Sequence, residues 1–299
     1  MSYDDIVAAF MSTPAEPIPE PDVPATPARR LRDALEPIAT QGWWSREAAE
    51  KVAALGLGFF DGYVWGRAAS LGEPVPAIVA ATFGVFDPAL IGAVYEQGRA
   101  GASRDAVLSA RADGAAASLA SFTSGDEAAA IADPLLDALN GLDGMGRPLF
   151  SGLRALPLPD AAQGRLWRAA ELVREHRGDG HLAAAIAAGY ELRTLNVLTE
   201  LWLGFAPGEY SGTRGMSPEQ VADTLAELQR AGLAEGNALT AAGRGARDAL
   251  EAATDVSQDS LVTALGERIE SIIAAAEVIS ERIVAARAFP TDPRKRAGG

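Results

Sequence analysis

The chain has 299 residues, with 40 acidic and 26 basic side chains, a formal net charge of −14 and no cysteine. The lack of thiols excludes disulfides, a thiolate nucleophile and any cysteine-ligated zinc or iron–sulfur centre. The acidic balance argues against a broad nucleic-acid surface, because such a surface needs clustered Lys and Arg. Hydrophobic residues make up 48% of the chain, which is enough for a packed core.

The sequence predicts a cytoplasmic location. No run of about 18 uninterrupted apolar residues is present, so a transmembrane helix is not expected. Asp4 and Asp5 stand where a signal peptide carries Lys or Arg. Residues 1–11 are spaced for a short helical turn, and the prolines that follow indicate an extended linker, so 1–28 forms a first segment.

Apolar residues at helical spacing predict a helical region over 29–145, with helix starts at Asp87, Ser103 and Asp126. Within it, three glycines lie four residues apart from Gly58 to Gly66. They favour tight helix packing, and the alternative is close approach of a flat ligand. Arg67, just after them, either binds an anion or caps helix carbonyls.

A central region over 146–210 contains the only two histidines, His176 and His181. We expect one helix to end near Arg177, a break at Gly178 and Gly180, and a second helix beyond it. An unbroken helix would place the two imidazoles about 140° apart, whereas a break can bring them together with Asp179.

Several strings in this chain resemble a largely actinobacterial family of all-helical, helix-turn-helix-containing proteins. They include residues 166–170, the string Arg-Glu-His-Arg-Gly-Asp-Gly-His at 174–181, residues 66–72 and residues 213–215. The resemblance covers about residues 29–270. The chain departs from it at Met216, where members often carry Trp, and at residues 84–85, where Gly-Val replaces Tyr-Asn. The resemblance implies a helical fold and gives little information on ligand or reaction.

The string at 174–181 has three interpretations. His176, Asp179 and His181 form a candidate metal set. Alternatively, one imidazole works with Asp179 or Glu175 in acid–base chemistry while arginines hold an anionic substrate. In the third interpretation these residues are ordinary capping and pairing groups at a helix end.

Residues 211–290 predict a winged-helix-like module and a C-terminal helix. A helix opens at Ser217, a hairpin turns at Gly236-Asn237, and a second helix follows, in the order of multiple-antibiotic-resistance-type regulators. The first helix carries three acids against Arg230, and Arg244 and Arg247 are the only obvious phosphate candidates. Nucleic acid is therefore an unlikely partner on charge alone. The apolar seam over 256–287 packs within the chain or forms a homodimer contact.

The sequence predicts a mainly α protein with a C-terminal winged-helix-like module that contains a short β-hairpin. We expect a protein that binds an anionic or aromatic small molecule, with enzymatic activity left open and no cofactor or membrane partner assigned. The alternatives are a winged-helix transcriptional regulator that binds DNA and a non-catalytic dimeric scaffold. The candidate catalytic residues are His176, Asp179, His181 and Glu175. The candidate ligand-binding residues are Arg67, Arg174, Arg177, Arg214, Trp65, Phe86 and Trp167.

Overall fold

The structure is a computed structural model that describes Met11 and residues 18–298. The helical turn predicted at the N-terminus and residues 12–17 of the proline-rich linker lie outside the described residues, apart from Met11. Within the described part the fold is mainly α with one two-stranded antiparallel sheet, so the predicted fold class is confirmed.

The first nine helices of the described chain are connected by short loops. They are α1 Pro27–Ala39, α2 Gln41–Trp44, α3 Arg46–Ala54, α4 Phe59–Ala68, α5 Pro76–Phe83, α6 Pro88–Gly101, α7 Arg104–Leu119, α8 Gly125–Asn140 and α9 Pro148–Arg154.

The second half begins with the longest helix of the described chain and ends with a short terminal one. Its elements are α10 Ala162–Ala187, α11 Leu192–Trp202, α12 Pro218–Arg230, β1 Ala234–Glu235, β2 Ala238–Leu239, α13 Ala241–Val256, α14 Asp259–Leu265, α15 Ile269–Ala285 and α16 Pro293–Gly298.

Helix starts follow the predicted capping residues in most places. Asp87, Ser103 and Ser217 accept hydrogen bonds from backbone N–H groups of the helices that they precede. Helix α8 instead starts at Ser124, because Ser124 and Glu127 satisfy each other's backbone N–H groups in a capping box. The prediction of Asp126 as its cap is therefore wrong by two residues.

The glycines of α4 serve close helix packing. A Cβ atom on Gly62 would collide with Val52 of α3, and one on Gly66 would collide with Arg111 of α7. This is the tight packing that the four-residue spacing favours.

The largest core lies between α1, α8, α10 and α15. It includes the apolar face of α1 and the isoleucines at 269, 272, 273, 279 and 283. The apolar seam over 256–287 therefore packs within the chain, and Gly266 divides it into α14 and α15.

Helix α10 runs without interruption from Ala162 to Ala187, so the predicted break at Gly178 and Gly180 is wrong. A glycine inside a helix costs only about 1 kcal/mol, and tertiary packing offsets this cost. Gly180 leaves room for close approach, because a Cβ atom there would collide with the Ser257 hydroxyl. Gly180 therefore permits packing, and neither glycine ends the helix.

Residues 218–256 follow the predicted order of helix, hairpin and helix, and α11 precedes them. Helices α11 and α12, the hairpin β1–β2 and helix α13 follow one another, and Gly236 turns the hairpin at a positive φ of 55°. A small separate core that includes Val197, Leu198 and Leu228 holds these elements together. No helix within residues 18–298 is long and apolar enough to cross a membrane.

Glycine-to-alanine substitutions should separate close packing from helix propensity. A Cβ on Gly114 in α7 would collide with the backbone of Ala48, whereas one on Gly245 in α13 would meet nothing within 4 Å. We expect G114A to lower the free energy of unfolding by about 1–3 kcal/mol and G245A to raise it by about 0.5–1 kcal/mol. Urea denaturation measures both, and equal shifts would contradict the packing argument.

Candidate functional site

An arginine-lined cavity of about 120 Å³ lies where α1, α4, α10, α11 and α13 meet. The middle of α10 contributes one wall, and the loop before α12 contributes another. We call this space the arginine cavity. Seven guanidinium groups line it, from Arg29, Arg32, Arg67, Arg174, Arg177, Arg214 and Arg247.

One buried carboxylate organises three of these arginines. Glu251 of α13 pairs with Arg29 of α1 at 2.8 Å, with Arg247 at 2.9 Å and with Arg177 of α10. Burial acts to raise the pKa of Glu251, but the three guanidinium groups outweigh it and hold the pKa well below its usual range. Glu251 is therefore ionised, and it ties the winged helix to α1 and α10.

A second buried pair joins α4 to α10. Arg67 binds Glu175 in a bidentate contact, with both N···O distances at 2.7 Å, and stacks over the ring of Phe83. Burial acts to raise the pKa of Glu175, but Arg67 and Arg174 hold it below its usual range. The predicted acid–base role of Glu175 is not supported, because both of its oxygens are committed to this ion pair.

Arg214 differs from the other six arginines of the cavity. Its guanidinium lies over the rings of Tyr210 and Phe86, at 4.4 and 5.0 Å. Among the described residues, no carboxylate lies within ion-pair distance of it, and its buried Nε has no hydrogen-bond acceptor. Arg177 also has a buried Nε without an acceptor. The cavity therefore has unused donor capacity.

Asp179 and His181 also line the cavity. Burial raises the pKa of Asp179 to about 7, although its carboxylate accepts a hydrogen bond from the Phe150 N–H at 3.0 Å. Burial and neighbouring arginines lower the pKa of His181 to about 3, so its imidazole is neutral. Its Nδ1 lies 2.9 Å from the Thr254 hydroxyl.

His176 lies outside the cavity lining. Its Nδ1 is 2.8 Å from the Gln258 side-chain oxygen, its ring meets Phe150 edge to face, and burial lowers its pKa to about 4. Because α10 is continuous, the two histidines point in different directions. Within residues 18–298, no group of three or more His, Asp or Glu side chains is placed to hold a metal ion. The predicted metal set of His176, Asp179 and His181 is therefore not assembled.

The structure brings together five of the seven candidate ligand-binding residues. Arg67, Arg174, Arg177, Arg214 and Phe86 line the arginine cavity. The tryptophans do not. Trp65 and Trp167 are buried in two cores, and their indole N–H groups donate to the Ala102 and Ala39 carbonyls at 2.9 and 3.0 Å. Their prediction as ligand walls is wrong, because aromatic residues at helical spacing fill the core.

Three further arginines of the cavity, Arg29, Arg32 and Arg247, are not among the predicted ligand-binding residues. Arg29 and Arg32 lie on the buried side of α1 beside Leu31 and Leu35, and charges next to an apolar stripe were the available signal. Arg247 was predicted to contact phosphate, but it is buried, bonds Glu251 and Thr199, and stacks over Trp202. Arg244 stays exposed.

These features define a mainly α protein in which a winged-helix unit is joined by buried ion pairs to a cationic cavity. The chain matches the model of the helix-turn-helix family over residues 28–290 and belongs to that family. No curated protein and no solved structure matches it.

Membership of this family corrects one prediction. We expected nucleic acid to be an unlikely partner, and this is wrong, because a helix-turn-helix family points to nucleic-acid binding. That prediction followed from the net charge of the chain and from the acidic residues of α12. Three arginines remain exposed on the winged-helix unit, at 193, 230 and 244.

Removal of the Glu251 charge should destabilise the fold strongly. We expect E251Q to lower the free energy of unfolding by about 3–5 kcal/mol, because three buried guanidinium groups lose a shared partner. The matched control is E270Q, which breaks an exposed pair with Arg30 and should cost less than about 1 kcal/mol. Denaturant unfolding measures both, and similar small losses would show that the cluster contributes little.

The stability should fall as the pH drops from 6 to 5. In that window the unfolded chain protonates both histidines, and the folded chain keeps them neutral. Asp179 acts in the opposite sense, because its raised pKa lets the folded chain bind one proton there. The unfolded chain therefore binds about one proton more than the folded chain, and the free energy of unfolding should fall by about 1.4 kcal/mol over this one pH unit.

Two variants check that balance by urea unfolding at pH 6 and pH 5. H176Q/H181Q should reverse the sign of the change, and D179N should roughly double the loss. A double-histidine variant with the wild-type pH dependence would contradict the assignment.

Proposed function

We propose that this chain is a cytoplasmic DNA-binding transcriptional regulator whose arginine cavity binds a small anionic effector. The observation that carries the DNA-binding part is the winged-helix order of α11, α12, the hairpin and α13 within a helix-turn-helix family. In winged-helix geometry the second helix enters the major groove. Here that helix is α12.

The exposed side of α12 carries acidic groups that favour sequence-specific over random contact with DNA. Glu219, Asp223 and Glu227 face outward and repel phosphates, which keeps the affinity for random DNA low. Carboxylates can accept hydrogen bonds from the cytosine amino group in the major groove. Arg230 at the end of α12 and Arg244 on α13 supply the phosphate contacts that fix the orientation.

The effector part rests on the cavity. Seven arginines line it, and within residues 18–298 six of them pair with the carboxylates of Asp33, Glu36, Glu175, Glu251 and Asp255. Arg214 has no carboxylate partner among the described residues, so its charge is available to bind an anion. The inner side of α13 carries Arg247 and Glu251, so the cavity and the winged helix share one helix.

The DNA-binding part is tested by selection from a random-sequence duplex library at about 50 mM salt, followed by titration of enriched duplexes. We expect wild-type protein to enrich defined sequences. R230A/R244A should bind them more weakly and reduce the slope of log K against log salt by about 2.

The control is R268A/R282A, which removes the same charge from exposed positions away from the winged helix. It should keep the wild-type slope. The DNA-binding proposal fails if no sequence is enriched, or if the two double variants behave alike.

A further inference from the structure

A second, larger space adjoins the arginine cavity. It has a volume of about 710 Å³, and Phe86, Leu182 and Leu195 line both spaces. Its walls come from α5, the start of α6, the end of α10 and the start of α11. We call this space the apolar groove.

The lining of the groove is almost entirely hydrocarbon. Within residues 18–298 it consists of alanines, prolines, leucines, Gly84, Phe86, Ile186 and Tyr190, and it includes no charged residue from that part of the chain. Ile186 is 75% exposed, which is unusual for a large apolar side chain at a concave surface. Gly84 allows Leu182 to pack closely against the end of α5, because a Cβ atom there would collide with the Leu182 side chain.

Arg214 lies beside the point where the two spaces meet. The Arg214 guanidinium lies over the Phe86 ring at 5.0 Å, and Phe86 belongs to both linings. The other six arginines of the cavity each contact at least one carboxylate, so Arg214 is the one guanidinium of the lining without a carboxylate partner among the described residues. A single carboxylate matches that one charge better than a dianionic phosphate does.

We propose that the ligand of this site is an amphiphilic monocarboxylate, with its carboxylate at Arg214 in the arginine cavity and its hydrocarbon chain in the apolar groove. This proposal deepens the effector site proposed above and does not depend on DNA binding. A molecule with both parts uses the polar and apolar spaces together, whereas a small anion leaves the groove unfilled.

The test is calorimetric titration of the full chain, without DNA, with hexanoate, octanoate and decanoate below their micelle concentrations. We expect one binding site and an affinity that rises by up to about fourfold per added methylene, which corresponds to about 0.8 kcal/mol each. Decanol, which has the chain without the charge, should bind at least about tenfold more weakly than decanoate.

Two variants address the two halves of the site. R214Q should weaken decanoate binding about 10- to 100-fold and leave the weak decanol binding nearly as it is, because only the charge-assisted contact is lost. A81W fills the groove from an exposed position of α5 and should reduce the gain per methylene. A130W places the same bulk on an exposed position of α8 outside both linings and should bind as wild type does.

The outcomes separate this inference from the broader proposal. If hexanoate binds through Arg214 but longer chains do not raise the affinity, the proposal of an amphiphilic ligand is wrong and the anionic effector site stands. If none of the three carboxylates binds, or if decanol matches decanoate, both the amphiphile and the effector site are overturned. DNA selection, run separately, decides the regulator part.

Discussion

The shared ion pair of Glu251 is the contact on which the arrangement of this chain depends. Charges removed from water are stable only when partners lie close with good geometry. Glu251 meets that demand for Arg29, Arg177 and Arg247 at once, so α1, α10 and α13 must keep fixed positions relative to one another. The arginine cavity lies at that junction, and its shape follows from the same constraint.

The charges of the chain are sorted between its interior and its surface. The net charge is −14, yet seven arginines converge on one interior cavity. Their aromatic neighbours help to hold them, since Arg67, Arg214 and Arg247 each lie over a ring. A global count therefore describes the outer surface and conceals a cationic interior.

Local patterns predicted the fold well. Capping residues such as Ser103 and Ser217, the Gly236-Asn237 turn and the apolar periodicity act within a few residues, so they could be recognised in sequence. Pairing between residues far apart in the chain could not be recognised in this way. The predicted break in α10 rests on Gly178 and Gly180, but Gly180 allows the close approach of Ser257, which lies 77 residues away along the chain.

In the candidate site, too, residues of local motifs could be predicted, whereas residues brought in by long-range contacts could not. Arg67, Arg174, Arg177 and Arg214 were singled out by their motifs and do line the cavity. His176 and His181 were candidates because they are the only histidines of the chain. Their rarity does not indicate towards which side of α10 each imidazole points. Arg29 joins the site only because Glu251, 222 residues away in sequence, pairs with it. Such a partner cannot be inferred from spacing on α1.

The position of Arg214 explains how a ligand bound in the arginine cavity could affect the winged helix. Arg214 ends a 3₁₀ turn, Ser211–Arg214, in the loop that leads to Ser217, the residue that caps α12. The Arg214 carbonyl accepts a hydrogen bond from the Asp87 N–H at 2.8 Å. Gly215 packs against Asp87 and Leu90 at a positive φ of 91°, so the loop has little freedom. A carboxylate that binds Arg214 would therefore act three residues before the cap of α12. Under the proposed function this short, constrained loop is the physical route from the cavity to DNA, because it biases a helix end that the DNA-binding surface requires.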